Sequence, residues 1–145
     1  MGDKRLTARA FHAAGGVEDW RVLYQGAHAY FRVASFAEGA RFVAAVAELA
    51  ASVGHAPDVD LRAEGVTVRT CSGEYGALSA RDVELARGIS AAARALGLAS
   101  DPSQVQALGI AIAQDAGVDV GPFWAAALGF RHLGEGDDVV DPHRR

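Results

Sequence analysis

Between Ala27 and Leu96 the hydrophobic period changes three times, and this order of periods constrains the fold more than any other feature. Ala27, Ala29, Phe31 and Val33 alternate with His28, Tyr30 and Arg32, the period of a strand buried on one face. Phe36, Ala40, Val43, Val46, Ala47, Ala50 and Val53 then recur at helical spacing. Ser35-x-x-Glu38 forms a capping box at the start of that helix, Gly54 stops it and Pro57 prevents its continuation. Alternation returns at Val59 and Leu61, and after Glu64-Gly65 at Val66, Val68 and Thr70. Ser79-x-x-Asp82 opens a further helix with Val83, Ala86, Ile89, Ala93 and Leu96 on one side, ending at Gly97.

Upstream, Leu6, Ala10, Phe11 and Ala14 mark a short helix stopped by Gly15-Gly16. Trp20 to Tyr24 supplies a strand before a turn at Gln25-Gly26. Residues 1–100 therefore read helix, two strands, helix, two strands, helix. Hairpins favour antiparallel pairing, so the expected fold is α+β: a four-stranded antiparallel sheet with three helices on one face.

Asp101-Pro102-Ser103 reads as a linker. Beyond it, Val105 to Ala113 suggests a strand, and Pro122 opens a helix carrying Phe123, Trp124, Ala127 and Leu128, capped by Gly129. Phe130 to Leu133 suggests a second strand. Residues 101–145 are thus an incomplete β-α-β extension, too small to bury a core of their own.

Charge and cysteine usage limit the function classes. Residues 1–100 carry 11 basic and 11 acidic side chains, so no basic face for a nucleic-acid backbone is expected. Residues 101–145 hold 3 basic and 7 acidic side chains, which accounts for the formal charge of −4. The single cysteine, Cys71, permits no internal disulfide and fits a reducing, cytoplasmic setting. Neither a signal peptide nor a membrane span is expected. No phosphate-cradling glycine loop, paired zinc cysteines or HExxH motif occurs, so no metal or cofactor is expected. His12, His28, His55, His132 and His143 are scattered, without helical ligand spacing.

The informative stretch is HAPDVDLRAEGVTVRTCSGEYGALSARD, His55 to Asp82. With Trp20 and the flanking helices it resembles the pterin-4a-carbinolamine dehydratases over about residues 6–98. That family carries His-His-Pro after its long helix, a third histidine sixteen residues beyond the proline, and an aspartate nine further on. In the same register this chain has His55, Ala56, Pro57, Gly73 and Asp82. An acidic position often found four residues before the first histidine is Ala51 here.

The resemblance implies dehydration of a 4a-hydroxy-tetrahydropterin, with His55 and Asp82 as residual catalytic residues and His55, Pro57 and Ser72 as substrate-binding ones. It implies a homodimer or homotetramer and a pterin-type ligand. With two of three histidines replaced, it implies weak or lost activity. A non-catalytic module binding a small molecule or a protein partner on the same scaffold is the alternative. Each site residue also has a purely structural reading: His55 as a loop residue at a helix end, and Asp82 as a helix cap.

IAIAQDAGVDVGPFWAAALGF, from Ile110 to Phe130, resembles the first β-α of a glyoxalase/bleomycin-resistance (vicinal oxygen chelate) module. Asp115, Phe123-Trp124 and Leu128-Gly129-Phe130 carry that likeness. In that family a metal ligand tends to lie seven residues before the aspartate. Here that position is Leu108, which cannot bind metal, so metal-dependent chemistry is not expected.

Overall fold

The computed structural model describes residues 5–24, 26–73, 76–108, 117–132 and 139–142. The chain separates into two compact units, residues 1–108 and 109–145.

In the first unit Thr7 caps α1 (Ala8–His12), its hydroxyl accepting from the Ala10 amide at 3.1 Å, and Phe11 is driven into the core. Four antiparallel strands follow: β1 (Arg21–Leu23), β2 (Gly26–Arg32), β3 (Asp58–Leu61) and β4 (Gly65–Thr70), in the spatial order β1-β2-β4-β3. The expected alternation holds along β2 and β4, while Val33 falls just past the end of β2 and Val59 and Leu61 on the edge strand β3 are half-buried. Ala27, Ala29 and Phe31 of β2 and Val66, Val68 and Thr70 of β4 are buried. His28, Tyr30, Thr67 and Arg69 point to the other face, where Arg21, His28, Arg69 and Asp58 form one row across the four strands. Arg69 and Asp58 are ion-paired there.

α2 (Phe36–Val53) and α3 (Ala80–Ala95) pack against each other and against the sheet. Ser35 accepts from the Glu38 amide at 3.2 Å, and the Glu38 carboxylate accepts from the Ala34 amide at 2.6 Å. Gly54 closes α2 in the left-handed region, φ 67°, a conformation glycine adopts without a Cβ clash.

The buried face of α2 differs from the stripe expected at Phe36, Ala40, Val43, Val46, Ala47, Ala50 and Val53. Gly39, Phe42 and Val46 are buried, whereas Phe36 is 59% exposed and Ala40 and Ala47 face outward. Glu38, Arg41, Glu48 and Ser52 mark one polar stripe, but the rest of the helix is apolar, so its pattern does not choose which part of that arc turns inward; size does. Phe42 inserts edge-on against Phe31, ring centroids 5.1 Å apart, a contact worth about 0.5–1.5 kcal/mol beyond burial. Gly39 lets the helix approach the sheet: a Cβ there would overlap Leu61 Cδ1 and press on Val66 Cγ2 at 3.3 Å. Gly39→Ala is therefore expected to destabilise the unit by about 1–3 kcal/mol, measured as a lowered urea midpoint. An unchanged midpoint would mean that α2 can retreat freely.

α3 begins with the expected capping box and buries Val83, Leu85, Ala86, Ile89 and Ala93. Leu96, expected on the same side, is 41% exposed because the helix ends one residue before it. Trp20 is fully buried and donates its indole N–H to Ser90 Oγ at 3.1 Å. Asp101, read as linker, is attached to β2: its amide donates to Tyr30 O at 2.9 Å and its carboxylate pairs with Arg32 at 2.5 Å.

In the second unit Pro122 lies in the first turn of α4 (Gly121–Leu128), and Gly129 caps it with φ 66°. β5 (Arg131–His132) pairs antiparallel with β6 (Val139–Val140), a pairing the polar tail did not suggest. The strand expected from Val105 has no strand geometry over Val105–Leu108, and its remainder, with Asp115, lies outside the described residues. So do Gln25, Leu133 and His143. Among the described residues no helix is long and apolar enough to cross a membrane.

Candidate active site

Three segments converge on one buried carboxylate. Asp82 lies in the first turn of α3, at the third helical position of the capping box, and its side chain is fully buried. Its Oδ2 accepts from the Ser79 amide at 2.7 Å, which is the capping bond, and from Ser72 Oγ at 2.5 Å. Its Oδ1 accepts from Thr70 Oγ1 at 2.6 Å and lies 2.9 Å from His55 Nε2. Thr70 is the last residue of β4, and Ser72 sits just beyond it in a turn closed by the Ser72 and Gly73 amides on Ala77 O. The left-handed Gly54 redirects the chain so that His55 faces this cluster, with its own amide bonded to Ala50 O at 3.1 Å. Burial alone is the strongest single influence on Asp82 and raises its pKa. The bonds from Ser72, Thr70, the Ser79 amide and His55 together outweigh it and hold the carboxyl below its ordinary value.

Beside this cluster is an open cavity of about 520 Å³, lined by residues including Val43, Ala50, Ala51, Ala56, Pro57 and Val59. His55 is the one polar side chain among its lining residues, with 14% of that side chain exposed. The candidate residues therefore fall into two groups. His55, Ser72 and Asp82 meet at the carboxylate, while Pro57 stands with His55 on the cavity. Neither Asp82 nor Ser72 lines the cavity, so Asp82 acts on it only through His55.

Sequence reasoning gives Thr70 no role at the candidate site. Its alternation makes it a core position of β4, and it is one, but it places a hydroxyl where its neighbours in the alternation place valines. That change at a strand end, facing a helix cap, was the available signal.

The other histidines of the first unit lie elsewhere. His12 is exposed on α1 against the Phe11 ring, and His28 is on the outer sheet face with Nδ1 3.2 Å from Gly26 O. Burial, and to a lesser degree nearby Arg69, lowers the His28 pKa against the opposing pull of that carbonyl. Cys71 is half-buried. No group of three or more metal-ligating side chains occurs among the described residues.

Residues 4–92 match the family model described as pterin 4 alpha carbinolamine dehydratase. The chain belongs to that family. A pterin-4-alpha-carbinolamine dehydratase of Nocardia farcinica, so named provisionally, is 42% identical over 60 residues, covering 41% of this chain and 63% of that one. A provisionally named dehydratase of Chloroflexus aurantiacus (strain J-10-fl) is 35% identical over 71 residues, 49% of this chain and 76% of that one. Another, from Roseiflexus castenholzii, is 39% identical over 59 residues, and this chain spans 63% of its length. The crystal structure of a transcriptional coactivator/pterin dehydratase from Brucella melitensis covers 62% of this chain and 99% of its own, with a TM-score of 0.56 at 23% identity. That likeness shows the dehydratase fold in the first unit. Residues 109–145 lie beyond the family match.

Proposed function

We propose that the first unit is a dehydratase-type hydro-lyase with a reduced acid–base set, which keeps a site for a pterin-type molecule but turns it over weakly. The observation that carries this reading is the Asp82–His55 pair at the edge of a cavity, inside the stretch that matches the family. Dehydration of a 4a-hydroxy-tetrahydropterin expels hydroxide from C4a and removes a proton from a ring nitrogen. It needs an acid near the leaving oxygen and a base near the nitrogen. His55 can fill one of these roles at a time. The positions that match the family's other histidines hold Ala56 and Gly73, which can fill neither. Pro57 on the cavity completes the proposed binding set, with Ser72 supporting it through its bond to Asp82, and exposed sheet edges at β1 and β3 suit assembly of a homodimer or homotetramer.

Calorimetry with a tetrahydropterin analogue tests the reading. The wild type is expected to bind, and His55→Ala to bind about tenfold more weakly, as the loss of one hydrogen bond of about 1–1.5 kcal/mol requires. No detectable heat with the wild type would remove the pterin reading.

A binding module without turnover is the second reading, favoured by a cavity lining that is apolar apart from His55. For residues 101–145 we propose a partial vicinal-oxygen-chelate-like segment, supported by the Phe123-Trp124 helix ending at Leu128-Gly129-Phe130.

A further inference from the structure

Thr70 Oγ1, Asp82 Oδ1 and His55 Nε2 form a closed triangle with sides of 2.6, 2.9 and 3.0 Å. A hydroxyl has one proton and an ionised carboxylate has none to give. The short bond from Thr70 to Asp82 uses the hydroxyl proton, so Oγ1 offers His55 only lone pairs. Asp82 Oδ1 offers the same nitrogen only lone pairs as well. Nε2 therefore faces two acceptors, and the arrangement is satisfied only when Nε2 carries a hydrogen.

We propose that Thr70 is a positioning residue which, together with Asp82, fixes His55 in the Nε2–H tautomer and leaves Nδ1 as its sole proton-exchanging nitrogen. Asp82 alone would accept from whichever ring orientation brings an N–H toward it, and so would leave the ring and its tautomer open. The second acceptor, set on β4 rather than α3, holds the ring against rotation about its Cβ–Cγ bond, because two elements grip one nitrogen. This gives a single histidine a defined reactive atom, the usual purpose of an outer partner on an imidazole. The catalytic consequence rests on the acid–base role proposed for His55. The tautomer does not, and it is measurable without any ligand.

The test is a long-range 1H–15N correlation spectrum of the histidine rings in the full chain, in mildly alkaline buffer, with His55→Gln identifying the His55 signals. The wild type is expected to show a protonated Nε2 and a bare Nδ1. Thr70→Ser should keep that pattern. Thr70→Val, nearly the same shape without the hydroxyl, should move both ring nitrogens toward the averaged shifts of exchanging tautomers while the backbone spectrum stays folded. If Thr70→Val does not fold, Thr70→Ala takes its place. A wild type carrying the proton on Nδ1 would overturn the proposal, as would ring shifts unchanged in folded Thr70→Val or Thr70→Ala. Failure of the tetrahydropterin analogue to bind would overturn the pterin reading and leave the tautomer result standing.

Discussion

Asp82→Ala is expected to cost the first unit about 3–5 kcal/mol, against about 1 kcal/mol for Ser79→Ala. The difference separates a helix cap from a hub. A capping role accounts for one of the bonds to the carboxylate, that from the Ser79 amide. Removing the carboxylate also strands the Thr70 and Ser72 hydroxyls and the His55 ring, and buried polar groups left without partners carry their full desolvation cost. Acidity gives a second reading of the same effect. The folded-state pKa of Asp82 lies below its ordinary value of 3.8, so the unfolded chain takes up this proton first. The contribution is complete above that value and drains as the pH falls below it. Wild type and Asp82→Asn should therefore differ most near neutrality and converge in strong acid, measured by urea unfolding at stepped pH. An Asp82→Ala protein no less stable than Ser79→Ala would reduce the aspartate to a cap.

Ala56→His combined with Gly73→His is expected to raise dehydratase turnover at least about 10²-fold over the wild type, the typical contribution of a positioned acid or base. Either change alone should give far less, because groups that act in one proton relay are not additive. The backbone permits both. Ala56 is exposed beside the cavity, and Gly73 is not among the glycines with positive φ. A Cβ at Gly73 would come to 3.0 Å from Ala77 Cβ, so the turn must yield by a few tenths of an ångström. The measurement is the initial rate of carbinolamine dehydration. A double variant that binds the analogue yet reacts no faster would show that these positions do not set the rate. So would a wild type already turning over like an enzyme with a full histidine set.

The features legible in the sequence were those that depend on near neighbours. Alternation placed β2 and β4 with the correct face inward, and Ser35, Gly54 and Ser79 marked helix ends through short-range bonds. The face of α2 was not legible, because beyond the polar stripe of Glu38, Arg41, Glu48 and Ser52 the alanine-rich helix is apolar, and the choice within that wide arc falls to Phe42 and to the space left by Gly39. The site was half legible. The register pointed to His55 and Asp82 and the resemblance added Ser72, three residues that the fold brings together at one carboxylate, but the bond from Thr70 spans two elements, and a β-branched residue in a strand reads first as packing. β5 lies inside the strand expected over Phe130–Leu133, whereas β6 escaped because a two-residue strand carries no period.

A side chain that both closes a helix and orients an imidazole is under two separate selective pressures. Were the chemistry at positions 55, 56 and 73 to drift away entirely, substitutions at Asp82 would still be purged for what they do to folding. The aspartate is thus a poor gauge of activity among relatives of this chain. Positions 56 and 73, where Ala56 and Gly73 take no part in the Asp82 cluster, are where loss of function would register first.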